Sequence, residues 1–314
     1  MNVSAKILED VIKKILSESK DVSLIDFKNE YIEAIKYTHS KSYVRTVETS
    51  FNQLLKFSDN LSLIKYDVRC LEKFIIKTFK RSKYSAALYY RTLKAAFNKA
   101  VDWDYIPLNP FNKINLPKFQ KPNPAYITNS ELQQILKFVP DNLVELYEFA
   151  FFTGLRLSEI IFLKWNDVNL NSRLIQIGSK EFITKGKKIR IIPVCNRVYE
   201  ILLNQFPKIL NHKRNFVFHK SNAFPFTANY ISKKFKQAVR KSELDERIHF
   251  HSLRHSFASN LIKEGVSIYE ISKLLGHSSI SVTEIYSHLD IDTLQKAVNK
   301  FNNINIAEGS KWKN

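Results

Sequence analysis

Apolar residues recur at helical spacing over most of this chain. In residues 4–18, Ile7, Leu8, Val11, Ile12, Ile15 and Leu16 form one stripe of a 3.6-residue period behind Ser4, a residue suited to capping. Spacings of three and four predict further helices from Asp26 to Ile35, Ser42 to Phe57, Ile64 to Phe79 and Ser85 to Val101, with Asn109-Pro110 breaking the last. No hairpin signal interrupts them, so this stretch reads as all-α. Residues 117–124 then carry three prolines and little apolar content, the mark of an extended linker.

A second domain is expected from about Tyr126, where Thr128 or Asn129 can cap a helix from Ser130 to Val139. Only one region speaks for strands. Residues 173–177 and 188–194 are β-rich and flank Lys185-Gly186, a small antiparallel sheet or hairpin with a glycine turn. Helices resume at Arg197, and Ser267 with Glu270 forms a capping box for the helix that runs to Leu275. Ile291, Leu294, Ala297, Val298 and Phe301 mark a last apolar stripe. The expected fold is therefore mainly α: an N-terminal all-α domain, then a mixed α/β domain with a small antiparallel β-sheet. The boundaries read as an amphipathic helix at 1–23, the all-α domain at 24–114, a linker at 115–125, the mixed domain at 126–288 and a terminal helix and tail at 289–314.

Composition narrows the function. The 314 residues are 44% hydrophobic, with 23 Phe and 14 Tyr, enough to bury two cores. The net charge of +19 is shared between the two halves, which favours a polyanion such as nucleic acid held between two basic lobes; solubility alone would also use such charge. Two cysteines, Cys70 and Cys195, cannot build a disulfide framework, so a reducing interior is expected. No apolar run approaches a membrane span, and charges at Lys6, Glu9, Asp10, Lys13 and Lys14 interrupt any secretory signal. The cytoplasm is the expected compartment.

Three short runs carry candidate chemistry: residues 153–159 (TGLRLSE), 251–255 (HSLRH) and 275–288, which begins LGHSS and ends IYSH. Together they supply Arg156, Arg254, His251, His277 and Tyr286. Such a set suits attack of a tyrosine on a phosphodiester, because guanidinium groups offer paired donors to phosphate oxygens and stay charged at any working pH. Gly154 permits a sharp turn that would place Arg156 at a helix start, with Glu159 three residues on to orient an arginine or histidine. His251 and Arg254, also three apart, can face one phosphate. His249, His251 and His255 are dense enough to suggest zinc, but position 252 is Ser where a metalloprotease helix needs Glu, and no further ligand follows at metal spacing; no metal and no cofactor is expected. Gly276 would end its helix and present His277 to a non-bridging oxygen. A tyrosine near ~10 is mostly protonated at neutral pH, and neighbouring cations would favour its phenolate as it forms.

These three motifs, in this order and with a lysine hairpin between them, resemble the tyrosine recombinases of the phage integrase and Xer type over about residues 24–300. The resemblance implies that Tyr286 is the nucleophile of a site-specific DNA recombinase, forming a 3′-phosphotyrosine. Arg156, Arg254, His251 and His277 would meet the phosphate. Lys185, followed by Gly186 and a matching strand, would be the acid for the 5′-oxygen; Lys187 and Lys188 are close enough to compete for that role and are otherwise expected DNA contacts. The all-α domain resembles the family's core-binding domain, and its basic aromatic helix with Lys83, Tyr84, Arg91 and Lys94 could enter a DNA groove, although a solvated helix face would look the same. In the family the terminal helix docks on a neighbouring protomer, so a tetramer on two duplex DNA sites is implied, with room for an accessory or activating protein. The extra arm-type domain of many phage integrases is missing, which suggests a compact, Xer-like enzyme of the nucleoid or a mobile element. Rival readings are a type IB topoisomerase-like or hairpin-forming resolvase activity, and a DNA-binding regulator of the same fold without cleavage.

Overall fold

A computed structural model describes residues 21–120, 122–178, 189–206, 215–221, 223–277, 279 and 283. The expected first helix, the Lys185 turn with Lys187 and Lys188, Tyr286 and the terminal stripe from Ile291 lie outside the described residues. The chain divides into two compact units between Lys121 and Pro122.

The first unit is built from α1 (Leu24–Ile35), α2 (Lys41–Ser58), α3 (Val68–Arg81) and α4 (Lys83–Asp102). Each helix starts on a side chain that accepts a backbone N–H from its first turn: Ser23, Ser40, Asp67 and Ser82. Ser82 also closes α3, so α3 and α4 share one boundary residue. One start differs from the periodic expectation. The third helix starts at Val68, not Ile64: Leu63–Lys65 form a separate 3-10 turn, and Asp67 then caps α3 by accepting from the Cys70 N–H at 2.7 Å. The fourth helix ends at Asp102, within one residue of the expected Val101, because Asp104 takes a left-handed conformation (φ 58°). The Asp104 N–H then reaches the Val101 carbonyl and the Tyr105 N–H reaches Ala100, a Schellman closure. Asn109 instead starts a second 3-10 turn, Pro110–Lys113, and ties it back to α4 through hydrogen bonds to the Lys94 carbonyl and Asn98.

Aromatic rings fill this core. Phe27, Phe51, Phe97 and Phe111 are fully buried, and Phe27 meets Phe51 and Phe97 edge-on at centroid distances of 5.8 and 6.2 Å. A buried polar pair, Thr92 Oγ1 to Ser50 Oγ at 2.8 Å, joins α4 to α2 with both hydroxyls satisfied.

The second unit contains α5 (Asn129–Leu136), α6 (Asp141–Thr153), α7 (Leu157–Ile161), α8 (Asn196–Gln205), α9 (Ala228–Lys241), α10 (Phe250–Lys263) and α11 (Ile268–Leu275). Thr128 with Glu131, and Ser267 with Glu270, form reciprocal capping boxes that set the starts of α5 and α11. Between α7 and α8 lies an antiparallel sheet of three strands, β1 (Val168–Asn169), β2 (Leu174–Ile177) and β3 (Arg190–Pro193), in that order. The two-residue β1 is an addition to the hairpin legible in the sequence; two residues are too short to show alternation. In the core, α6 runs against α8 and α10, and Tyr147, Phe149 and Phe235 are completely buried. The Tyr147 hydroxyl donates to the Ile231 carbonyl at 2.9 Å, and burial pushes its pKa up.

Candidate active site

Four segments of the second unit meet at the candidate site, and helix ends shape three of them. At one side α6 closes on Gly154, whose φ of 62° turns the chain sharply into α7. A Cβ there would lie 2.5 Å from the Phe257 ring, so glycine is needed for space as well as for backbone conformation. The turn makes Arg156 the first boundary residue of α7. Glu159, in the first turn of α7, is buried; it accepts the Arg156 backbone N–H at 2.9 Å and Arg156 Nη1 at 3.0 Å.

At the other side α11 closes on Gly276 (φ 66°) and delivers His277. The Gly276 carbonyl accepts from Arg156 Nη2 at 3.4 Å, and His277 Nδ1 lies 2.7 Å from Thr283 Oγ1. Between the two turns stands the start of α10, which carries His251 and Arg254. Arg254 is almost wholly buried: Nη1 donates to the Gly154 carbonyl at 2.8 Å and Nη2 to the Leu275 carbonyl at 2.7 Å. Its cation thus sits at two helix C-terminal ends, where carbonyl dipoles favour positive charge. His249 precedes α10 and is engaged locally, with Nδ1 2.9 Å from the Arg247 carbonyl and its backbone N–H donating to Ser252. His255 packs its ring edge-on against His251 at 4.8 Å.

Electrostatics follow from this crowding. Packing around the ring and the positive charge of Arg254 hold His251 down at about 4. Burial, then Arg254, Arg156 and Arg190, place His277 at about 4 as well, and burial next to His251 takes His255 to about 3. All three imidazoles are therefore neutral at pH 7, and the arginines carry the positive charge of the cluster. Burial alone would raise the Glu159 carboxyl; the paired hydrogen bonds and charge of Arg190, aided by Arg156, outweigh it and hold the group below its ordinary value.

Arg190 is the residue that the sequence reading missed. It sits on β3 opposite Ile177, and its side chain is only 10% exposed. It meets Glu159 with a two-pronged pair, Nη1 to Oε1 at 3.1 Å and Nη2 to Oε2 at 2.7 Å, while Nε donates to the Leu274 carbonyl at 3.0 Å. Arg190 shares strand parity with Ile192, which the fold buries, but Ile191 between them is equally apolar, so the buried face is not readable from the sequence.

The structure thus brings Arg156, Glu159, His251, Arg254 and His277 together. Cavities of about 820 and 580 Å3 lie elsewhere, the first lined by Asp141, Glu145 and Tyr230 and the second by Trp165, Gln176 and Phe206. Neither is lined by a residue of the arginine–histidine cluster. Among the described residues, no group of three or more His, Cys, Asp or Glu side chains is placed to share a metal ion, and no helix is long and apolar enough to cross a membrane. In the first unit, Lys83, Tyr84 and Arg91 are exposed on α4 and Lys94 is half-buried beside them on the same face. Tyr84 meets the Phe119 ring edge-on at 5.2 Å, and Lys94 Nζ lies 3.3 Å from the Tyr90 hydroxyl.

Comparison with known proteins bears on this geometry. Residues 125–292 match the phage integrase family, and residues 23–117 match the phage integrase SAM-like domain. The tyrosine recombinase XerC of Pediococcus pentosaceus is 26% identical over 299 residues, covering 89% of this chain and 98% of that protein. A tyrosine recombinase of Pseudothermotoga lettingae is 30% identical over 237 residues, covering 73% and 80%. Among solved structures, the Tn1549 transposon integrase in complex with transposon right end DNA aligns with a TM-score of 0.74 at 19% identity, covering 90% of this chain and 100% of that one. A lambda integrase dimer bound to a COC′ core site aligns with a TM-score of 0.75 at 19% identity, covering 90% and 81%.

Proposed function

This chain belongs to the phage integrase family and is a tyrosine recombinase, and from that premise we propose how its residues cleave and rejoin DNA. The observation that carries the reading is the convergence of Arg156, His251, Arg254 and His277 from three separate helix ends into one cluster. In this scheme the Tyr286 oxygen attacks the scissile phosphorus and forms a 3′-phosphotyrosine, and the bond to the 5′-oxygen breaks. Arg156 and Arg254 meet the charge that builds on the non-bridging oxygens. His277, neutral at pH 7, donates a further hydrogen bond, and His251 takes up the tyrosine proton or donates to the phosphate. Lys185 gives its proton to the departing 5′-oxygen. A 5′-hydroxyl from the partner strand then attacks the phosphotyrosine and regenerates Tyr286, so the ester conserves the energy of the broken bond.

Duplex DNA is the substrate in this reading. The core-binding domain, residues 24–114, would grip it through the exposed face of α4, with Lys83, Tyr84, Arg91 and Lys94 at the backbone, while the catalytic domain, 126–288, holds the scissile phosphate with Lys187 and Lys188 nearby. A linker at 115–125 joins the two domains. The lambda integrase tetramer bound to a Holliday junction shares this fold, with a TM-score of 0.71. By analogy, the terminal segment 289–314 docks on a neighbouring protomer in a tetramer that joins two DNA sites. Action on chromosomal or mobile-element DNA places the protein in the prokaryotic cytoplasm.

The test uses Tyr286→Phe, which removes only the nucleophilic oxygen. The wild-type protein is first trapped on genomic fragments to recover its site, and that site is then built as a nicked duplex. On a denaturing gel the wild type will yield a covalent protein–DNA adduct and the variant none, with equal DNA affinity. An adduct in the Phe variant would move the nucleophile elsewhere.

A further inference from the structure

The carboxylate beneath Arg156 is saturated. Glu159 receives the Arg156 backbone N–H at Oε2 and Arg156 Nη1 at Oε1, and Arg190 adds one bond to each oxygen. An ionised carboxylate offers about four acceptor positions, so these four donors fill it. Arg156 consequently commits one guanidinium nitrogen to Glu159. Its other terminal nitrogen, Nη2, reaches the Gly276 carbonyl at 3.4 Å, a long contact that a phosphate oxygen can replace.

We propose that Arg190 is a positioning residue for strand cleavage: by occupying both oxygens of Glu159 it keeps that carboxylate from chelating Arg156, and so leaves the Arg156 guanidinium to the scissile phosphate. The inference rests on the reading of Arg156 as a phosphate clamp. Two arginines and one buried carboxylate leave one net positive charge, and the geometry decides where it acts. Without Arg190, Glu159 Oε1, which already accepts Arg156 Nη1 at 3.0 Å, and Oε2 would each lose a donor, and a fork-to-fork pair with Arg156 is the strongest arrangement then open. Arg156 would then be held by a charge buried beside it instead of by the substrate.

A second contact gives Arg190 reach beyond Glu159. Its Nε donates to the Leu274 carbonyl in the last turn of α11, and a Cβ on Gly276 would lie 2.8 Å from its Nη1. The guanidinium therefore lies directly against the turn that presents His277. One planar group fixes the carboxylate under Arg156 and the chain just ahead of His277, while its own backbone belongs to β3, which follows the segment carrying Lys185.

The experiment measures single-turnover cleavage of the nicked duplex by the full chain, reading the rate constant of the bound complex separately from the amplitude. Arg190→Gln will lower the rate constant by up to ~10²-fold, the scale of a ~1 Å misplacement of a reacting group, with DNA affinity unchanged. Adding Glu159→Gln in the same chain will recover most of that loss, since the competitor for Arg156 is then uncharged. A purely structural Arg190 would instead lower the amplitude and leave the rate constant alone, and that result overturns the proposal, as does a double variant no faster than Arg190→Gln. If Arg190→Gln does not fold, Arg190→Lys is measured in its place: one ammonium cannot hold both oxygens, so a slowed rate recovered by Glu159→Gln supports the proposal and a wild-type rate refutes it. Wild type and Tyr286→Phe run beside these variants. If they fail to differ in adduct formation, the functional reading itself falls; if they differ and the Arg190 series does not, only this inference falls.

Discussion

Gly276 sets how closely Arg190 can approach the end of α11. Its φ of 66° is a conformation that side chains rarely adopt, and an added methyl would press on the Arg190 guanidinium and Cδ at 2.8 and 2.9 Å. Gly276→Ala will therefore cost about 1–3 kcal/mol of stability from backbone strain, measured by urea unfolding, and will slow cleavage as well by displacing Arg190 and His277. Unchanged stability would mean that the turn relaxes freely. The grouping at this scale was largely legible: the arginines beside glycine turns, the carboxylate one helical turn on and the histidines read from the sequence are brought together by the fold. Arg190 was not, because a lone arginine in a strand reads by default as a solvent-facing charge. Its partner Glu159 is 31 positions away in sequence, and only the three-dimensional fold brings them together.

At the scale of elements, caps decided what periodicity left open. Apolar spacing cannot separate Leu63 and Ile64 from the helix that follows, since both fit its stripe; the Asp67 side chain ends that ambiguity by capping α3 at Val68. Asp67→Ala will lower the stability of the protein by about 0.5–2 kcal/mol, read from thermal unfolding, whereas Asp67→Asn or Asp67→Ser will cost less. An Ala variant as stable as wild type would show that Tyr66 and the 3-10 turn alone fix the helix start. The end of α4 was legible to within one residue, but its cause was not. Proline is a strong breaker, so Asn109-Pro110 drew attention, while the chain had already reversed at Asp104, a residue that enters the left-handed region less readily than the glycine usual there. The capping boxes at Thr128 and Ser267 were legible because both partners lie within one turn.

For the molecule as a whole, the helical units and the antiparallel sheet could be read from the chain, because periods of 3.6 and 2 persist over many residues; how the histidines share one environment could not. His251, His255 and His277 are held at about 4, 3 and 4 in the folded protein, against about 6.5 in an unfolded chain. Between those values the unfolded chain binds more protons than the folded one, so stability is full above pH 6.5 and falls as the pH drops toward 4. Urea midpoints will decline steadily from pH 7 to pH 5, and His255→Gln will flatten the decline; a midpoint independent of pH over that range would contradict the shared environment. Arg254 carries a different consequence for the whole molecule. Its two donors join the Gly154 carbonyl, 100 positions away, to the Leu275 carbonyl, 21 positions away, so the clamp exists only after α6, α10 and α11 have closed on one another. A chain that is still emerging, or one partly unravelled by stress, therefore lacks this part of the candidate site, whose assembly is tied to completion of the second unit's fold.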